Sequence, residues 1–399
     1  MHTQKNIYSP AYSKSMKYFI YGRPVTGKYF VGREGEIEKI HGILSEIPVG
    51  GGNNLALIGL RRTGKTSLLK NLRFDFNGIV PVFMDCYGIP SQGVLATQLV
   101  NAAIGSYVEK TGDGAYRRKI ERAIKQKTAD ILSRISEAEL SVTRYMSIRI
   151  GLKERIDQQQ LLDNALNYIE TLAKEKDVYF VLMLDEFADV AIRWGVEWVK
   201  RLRGVIQHQE RVFYIFSSSA VTYMTELVYS RDSAFYRQLT PIKLGPFTAD
   251  VVKDYVRQRL LIGEESLDEY VRLTGGFPDY MQRLGHIIMH TCGGRNVTLR
   301  DIKDCYEEMI LDLDSEFRQL FGRLNEKSAR YGEIILSLAR NSRPSGIAKD
   351  IGMSQSSMPK YLGYLMSVGI VEKREGYHLT DPLFKSWIER NFSASVQRH

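Results

Sequence analysis

The stretch that most narrows the fold is Gly59-Leu60-Arg61-Arg62-Thr63-Gly64-Lys65-Thr66, a full GxxxxGK[ST] motif. It follows the apolar run NLALIG at 54–59 and opens into a helical pattern at Ser67-Leu68-Leu69. A strand, a glycine-bounded loop and a helix, in that order, are the setting in which such a loop wraps phosphate. The glycines let successive backbone N–H groups turn inward, and the helix N-terminus adds partial positive charge. The candidate phosphate set is Gly59, Arg62, Thr63, Gly64, Lys65, Thr66 and Ser67. Lys65 is placed to reach the β- and γ-phosphates, and the Thr66 hydroxyl to ligate Mg2+. Arg61 and Arg62 are not needed for the cradle itself and are open to solvent, phosphate or a partner.

A nucleotide held this way needs a second acidic site. It is found in YFVLMLDEF, where Asp185 closes an apolar strand and Glu186 follows at once. Open α/β sheets place ligand chemistry at the carboxyl ends of strands, so Asp185 is the candidate to share the Mg2+ shell with Thr66. An acid beside the magnesium aspartate can polarise an attacking water, which makes Glu186 the candidate base and points to hydrolysis of ATP beyond its binding. Ser217-Ser218-Ser219 ends the VFYIF strand, where Ser218 is the candidate for a contact to the γ-phosphate or else part of a simple turn. Arg237, in SAFYRQL, is the candidate to supply positive charge to the transition state, with a plain surface arginine as the other reading. Lys65, Glu186 and Arg237 form the candidate catalytic set.

The segments around these motifs alternate short β-rich runs with helical stretches, the pattern of a parallel sheet covered by helices on both faces. Strands are expected at 54–59, 79–85, 178–185 and 212–218, each a continuous apolar run suited to burial on both faces. A long stretch at 90–176 reads as mostly helical, with Ile120, Ile124, Ile131 and Ile135 on one stripe, and a strand is expected within it at 140–152. After Pro246 the pattern turns helical, with N-cap signals at Thr248, at Ser266 with Glu269, and at Thr298 with Asp301. Four sections follow: a basic tail at 1–28, a P-loop ATPase core at 29–245, a helical lid at 246–320 and a winged-helix section at 321–399.

The last section gives three helical patterns and then IVEKREGYHLT, a short hairpin with Gly376 at its turn. Gln355, Ser356, Lys360, Lys373 and Arg374 are its candidate DNA-facing residues; Pro359 shortens the third helix to a start near Ser356 or Ser357. Charge supports an anionic partner at the ends. Residues 1–28 hold five Lys and Arg with no Asp or Glu, and residues 321–399 hold twelve against seven, while the whole chain carries +9. Both ends are thus basic and the middle is about neutral, which fits duplex DNA as a possible partner or a surface kept soluble by charge. The apolar runs are too short to cross a bilayer and no signal-peptide core opens the chain, so a soluble cytoplasmic protein is expected. Cys86, Cys292 and Cys305 have neither disulfide-framework nor zinc spacing and are expected as packed thiols.

GLRRTGKTSLL together with VLMLDEF resembles the archaeal P-loop ATPase family of the STAND class, which is related to the AAA+ ATPases. YFVGREGEIEKI at 29–40 is similar to that family's GRE element, and TGGFPDYM at 274–281 to its GxP motif. The resemblance implies that Gly32 and Arg33 lie near the base and ribose, and that Gly276 and Pro278 lie against the adenine. GYHLTDPLFKSW is similar to the end of the family's winged helix. The resemblance also implies an ASCE-type sheet, with the sensor strand between the phosphate-loop strand and the aspartate strand. The family's Gly-Arg position falls on Tyr236-Arg237, a departure at its glycine. Two functions are expected: an ATP-hydrolysing switch whose lid and winged helix are read by a protein partner or through self-association, or an initiator-like ATPase that binds duplex DNA.

Overall fold

The computed structural model describes residues 18–75, 78–116, 118 and 158–396. The helical stripe expected over 117–135, apart from Arg118, and the strand expected at 140–152 lie outside the described residues, as do Lys5, Lys14 and Lys17 of the basic tail.

Five strands form one parallel sheet: β1 (Asn54–Gly59), β2 (Ile79–Asp85), β3 (Tyr179–Asp185), β4 (Val212–Ser218) and β5 (Leu239–Leu244), in the order β2-β3-β4-β1-β5. The first four match the apolar runs to within a residue, and β4 lies between β1 and β3 as the resemblance implied. The fifth was not anticipated: LTPIKL is no continuous apolar run, since Thr240 and Lys243 interrupt it. Its Pro241 is tolerated because β5 is an edge strand, pairing among the described residues with β1 alone, just as Pro81 lies in β2 at the other edge. In the sheet centre Phe180, Val181 and Leu182 are fully buried. The helices Gln92–Thr111 and Gln158–Lys176 pack on each other, and the first also packs on β2. All strands being parallel, their carboxyl ends share one edge, and register sets Leu184 beside Phe216 and Ile58 beside Ser218.

The chain divides into two compact units, each discontinuous in sequence. The sheet unit comprises Arg33–Gly245 and Asn341–Thr380. Its later segment contains the helix Pro344–Asp350, a 3-10 turn at Gln355–Ser357, the helix Met358–Ser367 and an antiparallel hairpin of Val371–Lys373 with Tyr377–Leu379. Pro359 occupies the first turn of its helix, so that helix is shortened as expected. Met358–Ser367 packs on the helix Val221–Tyr229, and Thr222 Oγ1 donates to Met366 O at 2.8 Å.

The helical unit comprises residues up to Gly32, then Pro246–Arg340 and from Asp381 onward. Its capping box at Thr298 forms as expected, with the Thr298 side chain accepting from Asp301 N. Ser266 is a correction: its helix begins at Glu264, so Ser266 is a buried interior residue and Gly263 the N-cap. Capping residues signal a start only when no earlier residue joins the helix, and Glu264 and Glu265 do so in a dipole-favoured first turn. Within this unit Phe19 packs where Gly285 lacks a side chain, and Trp387 lies between Phe317, Phe321 and Phe384 with its Nε1 donating to Asp314. All three cysteines are buried free thiols. Among the described residues no helix is long and apolar enough to cross a membrane.

Candidate functional site

The phosphate loop leaves β1 at Gly59 and closes tightly against β5. A Cβ on Gly59 would meet Leu244 O at 2.6 Å and Thr63 Oγ1 at 2.9 Å. Arg62 and Gly64 both take left-handed backbone conformations, with φ of 67° and 89°. For Arg62 this is a strained choice of the kind found where a loop is held for function. Thr63 is fully buried, and its Oγ1 donates to Leu60 O. Beneath the loop Arg33 is 4% exposed and donates from Nη2 to Thr63 O at 2.9 Å and Gly245 O at 2.6 Å. Arg33 therefore ties the loop to the end of β5.

Lys65 begins the helix Lys65–Asn71, is 5% exposed, and donates from Nζ to Gly59 O and Leu60 O at 2.9 Å each. Burial lowers its pKa, while the nearby carboxylates of Glu186 and Asp185 act in the opposite direction. Asp185 is 3% exposed at the end of β3. It accepts from Thr66 Oγ1 at 2.5 Å through one oxygen and from Ser217 Oγ at 2.7 Å through the other. Burial raises the Asp185 carboxyl above its ordinary range, and those two donors partly offset the rise. A buried cation, a hydroxyl and a carboxylate with hard oxygen donors thus converge at the sheet edge. The pairing of Thr66 with Asp185 fits the donor chemistry of Mg2+, which would hold the phosphates in place and draw charge from them.

Glu186 follows in a left-handed conformation, φ 48° and ψ 38°, and starts the helix Phe187–Trp194. Its Oε2 accepts from Ser219 N at 3.1 Å, Ser219 Oγ at 2.9 Å and Ser218 Oγ at 3.4 Å. The structure thus gathers Gly59, Arg62, Thr63, Gly64, Lys65, Thr66, Asp185, Glu186 and Ser218 at one edge; Ser67 follows in the first turn of the same helix. Ser217 and Ser219 contact the acidic pair directly, yet from sequence only Ser218 was singled out. Residue 217 lies beside 185 in the β3–β4 register, one step beyond Leu184 and Phe216, a neighbourhood that only the folded sheet creates.

Arg237 is placed elsewhere. It precedes Leu239, and β5 runs parallel to β1 with Leu239 beside Asn54 and Leu244 beside Gly59. Arg237 is therefore a whole strand length, at least about 17 Å at roughly 3.3 Å per residue, from its own chain's phosphate loop. Its φ is 56° and its guanidinium lies over the Tyr236 ring. In the helical unit, a Cβ on Gly32 would meet Val251 Cγ1 at 2.6 Å. A Cβ on Gly276 would meet Phe247 O at 2.3 Å, and Pro278 opens the helix Pro278–Cys292.

A family model described as an ATPase domain predominantly from Archaea matches residues 30–284. Among solved structures, a Walker-type ATPase of Pyrococcus abyssi is similar at a TM-score of 0.65 and 18% identity, covering 92% of this chain and 99% of that one. The ADP form of the Aeropyrum pernix ORC2 protein is similar at a TM-score of 0.51 and 13% identity, covering 94% and 97%. At these identities the likeness is one of fold, that of a P-loop NTPase. No curated protein matches the sequence.

Proposed function

Since the chain belongs to the family of ATPase domains found predominantly in Archaea, we propose that it is a Mg2+-dependent ATPase working as a molecular switch of the STAND type. The observation that carries this reading is the convergence of buried Lys65, the Thr66–Asp185 pair and Glu186 at the carboxyl edge of the sheet. Backbone N–H groups of the loop and Lys65 Nζ hold the β- and γ-phosphates. Thr66 and Asp185 hold the metal. Glu186 orients and deprotonates the attacking water as ADP and phosphate form. Arg237 is too distant to serve its own chain's phosphates, so we assign any catalytic role for it to a neighbouring copy. The helical lid and the C-terminal winged-helix section are proposed to report the nucleotide state to a partner.

A second reading is an initiator-like ATPase that engages duplex DNA. It is favoured by one observation: Gln355, Ser356, Lys360, Lys373 and Arg374 are all exposed, although Arg374 is paired with Glu372 at 2.6 Å. ATP turnover is measured in wild type and Glu186→Gln, with and without duplex DNA at two salt concentrations. The ATPase reading expects Glu186→Gln to bind ATP and lose at least about 10²-fold in turnover; normal turnover in that variant removes Glu186 as base. Stimulation by DNA that fades with salt selects the second reading, and indifference to DNA selects the switch with a protein partner.

A further inference from the structure

A general base is useful only if its carboxylate is held at the right place, and the hold on Glu186 comes from an unexpected direction. Among the described residues, the hydrogen bonds to this side chain all fall on Oε2 and all come from Ser218 and Ser219. Oε1 accepts none of these bonds. Ser219 is 9% exposed and is the stronger of the two partners, giving both its N–H and its hydroxyl at 3.1 and 2.9 Å.

The loop carrying Ser219 is in turn fixed by a segment about 150 residues later. Thr222 Oγ1 donates to Met366 O at 2.8 Å, in the last turn of the helix Met358–Ser367. Beyond that helix Gly369 takes φ +74°, and a Cβ there would lie 3.1 Å from Ser219 O. Gly369 is itself pinned: its N–H donates to Met366 O and its carbonyl accepts from Thr380 Oγ1 at 2.7 Å, just after the hairpin. The same helix and hairpin present Lys360, Lys373 and Arg374 to solvent.

We infer that Ser219 is the positioning residue for the Glu186 carboxylate, and that the turn Met366–Gly369 is the support that sets Ser219. This rests on the reading of Glu186 as base. A force on the exposed helix and hairpin then reaches the base through contacts within one compact unit, with no movement of the phosphate loop required. The expected signature is a change in kcat with ATP affinity unchanged, since among the described residues the side-chain hydrogen bonds of Lys65, Thr66 and Asp185 go to Gly59, Leu60, Ser217, the Glu186 N–H and each other, and to none of Ser219, Thr222, Met366 or Gly369.

The test measures kcat, KM and calorimetric ATP affinity for Ser219→Ala, Ser219→Thr, Thr222→Val and Gly369→Ala in the full chain, with Glu186→Gln alongside. Misplacing a reacting group by about 1 Å costs on the order of 10²-fold, so a partial loosening is expected to lower kcat about 10-fold. Ser219→Ala and Thr222→Val should show that fall with ATP affinity within about two-fold, and Ser219→Thr should restore turnover. Thr222→Val is nearly isosteric and carries the test if Gly369→Ala, at its positive φ, fails to fold. Wild-type or raised kcat in both Ser219→Ala and Thr222→Val overturns the inference, as does a fall in kcat matched by a fall in ATP affinity. An inactive Glu186→Gln beside unaffected Ser219→Ala and Thr222→Val ends this inference alone; a fully active Glu186→Gln ends the base reading and this one with it.

Discussion

Lys65 illustrates how a residue becomes legible before any fold is known. The role proposed for it follows from two glycines, a preceding apolar run and a following helix, all within residues 54–71. In the structure it is buried and donates to Gly59 O and Leu60 O within the loop. Lys65→Ala is expected to weaken ATP binding by about 10²-fold, since a charged hydrogen bond to a desolvated group is worth about 1.5–3 kcal/mol. Calorimetry checks this, and wild-type affinity would remove Lys65 from the site. Ser219 shows the opposite case. Its partner Glu186 is 33 residues away and its other support is the Gly369 turn. No local pattern encodes that meeting, because it exists only once parallel register has set the end of β3 beside the end of β4.

At the level of the element, the strands that could be read were those whose burial was symmetrical. β1 to β4 are apolar on both faces and announce themselves as runs, whereas β5 is interrupted by Thr240 and exposes Lys243. The helix starts followed the same logic: the capping box at Thr298 is complete and was legible, while Ser266 lost its cap to two preceding glutamates. Gly276 raises a separate question of cause. The resemblance assigns it to the adenine, yet its backbone at φ +72° already lies against Phe247, whose N–H donates to Gly276 O at 2.8 Å. Packing alone therefore requires glycine there. Gly276→Ala is expected to lose at least about 2 kcal/mol of stability through backbone strain and overpacking. A lowered unfolding midpoint in the absence of nucleotide checks it; a stable variant with weakened ATP binding would return Gly276 to the nucleotide.

For the whole molecule, the position of Arg237 bears on assembly. Should it stabilise charge in a neighbour's transition state, Arg237→Ala slows turnover with ATP affinity retained. Mixing Arg237→Ala with Glu186→Gln then restores turnover in proportion to mixed contacts, because each variant keeps what the other lacks. Turnover in the mixture no greater than in the separate variants shows that no such shared site exists. The basic ends pose the matching question about nucleic acid. If Lys373 and Arg374 meet phosphate, replacing both by Ala lowers the log–log salt slope of duplex binding by about one unit per lost contact. Unchanged slope in anisotropy titrations sends those side chains back to solvent.

The interleaving of the two units has a consequence for how the chain is made. The sheet unit is not finished until Thr380 is out of the ribosome, more than 300 residues after Thr66 of the phosphate loop. The helical unit includes Phe19 near one end of the sequence and Trp387 near the other. At about 5–20 residues per second, the helix Val221–Tyr229 waits several seconds or longer for the segment that covers it. Neither unit can be completed during synthesis of its own first half. The apolar face of Val221–Tyr229 therefore stays uncovered in the nascent chain until Met358–Ser367 has been made, and keeping it from its neighbours in that interval falls to the cell.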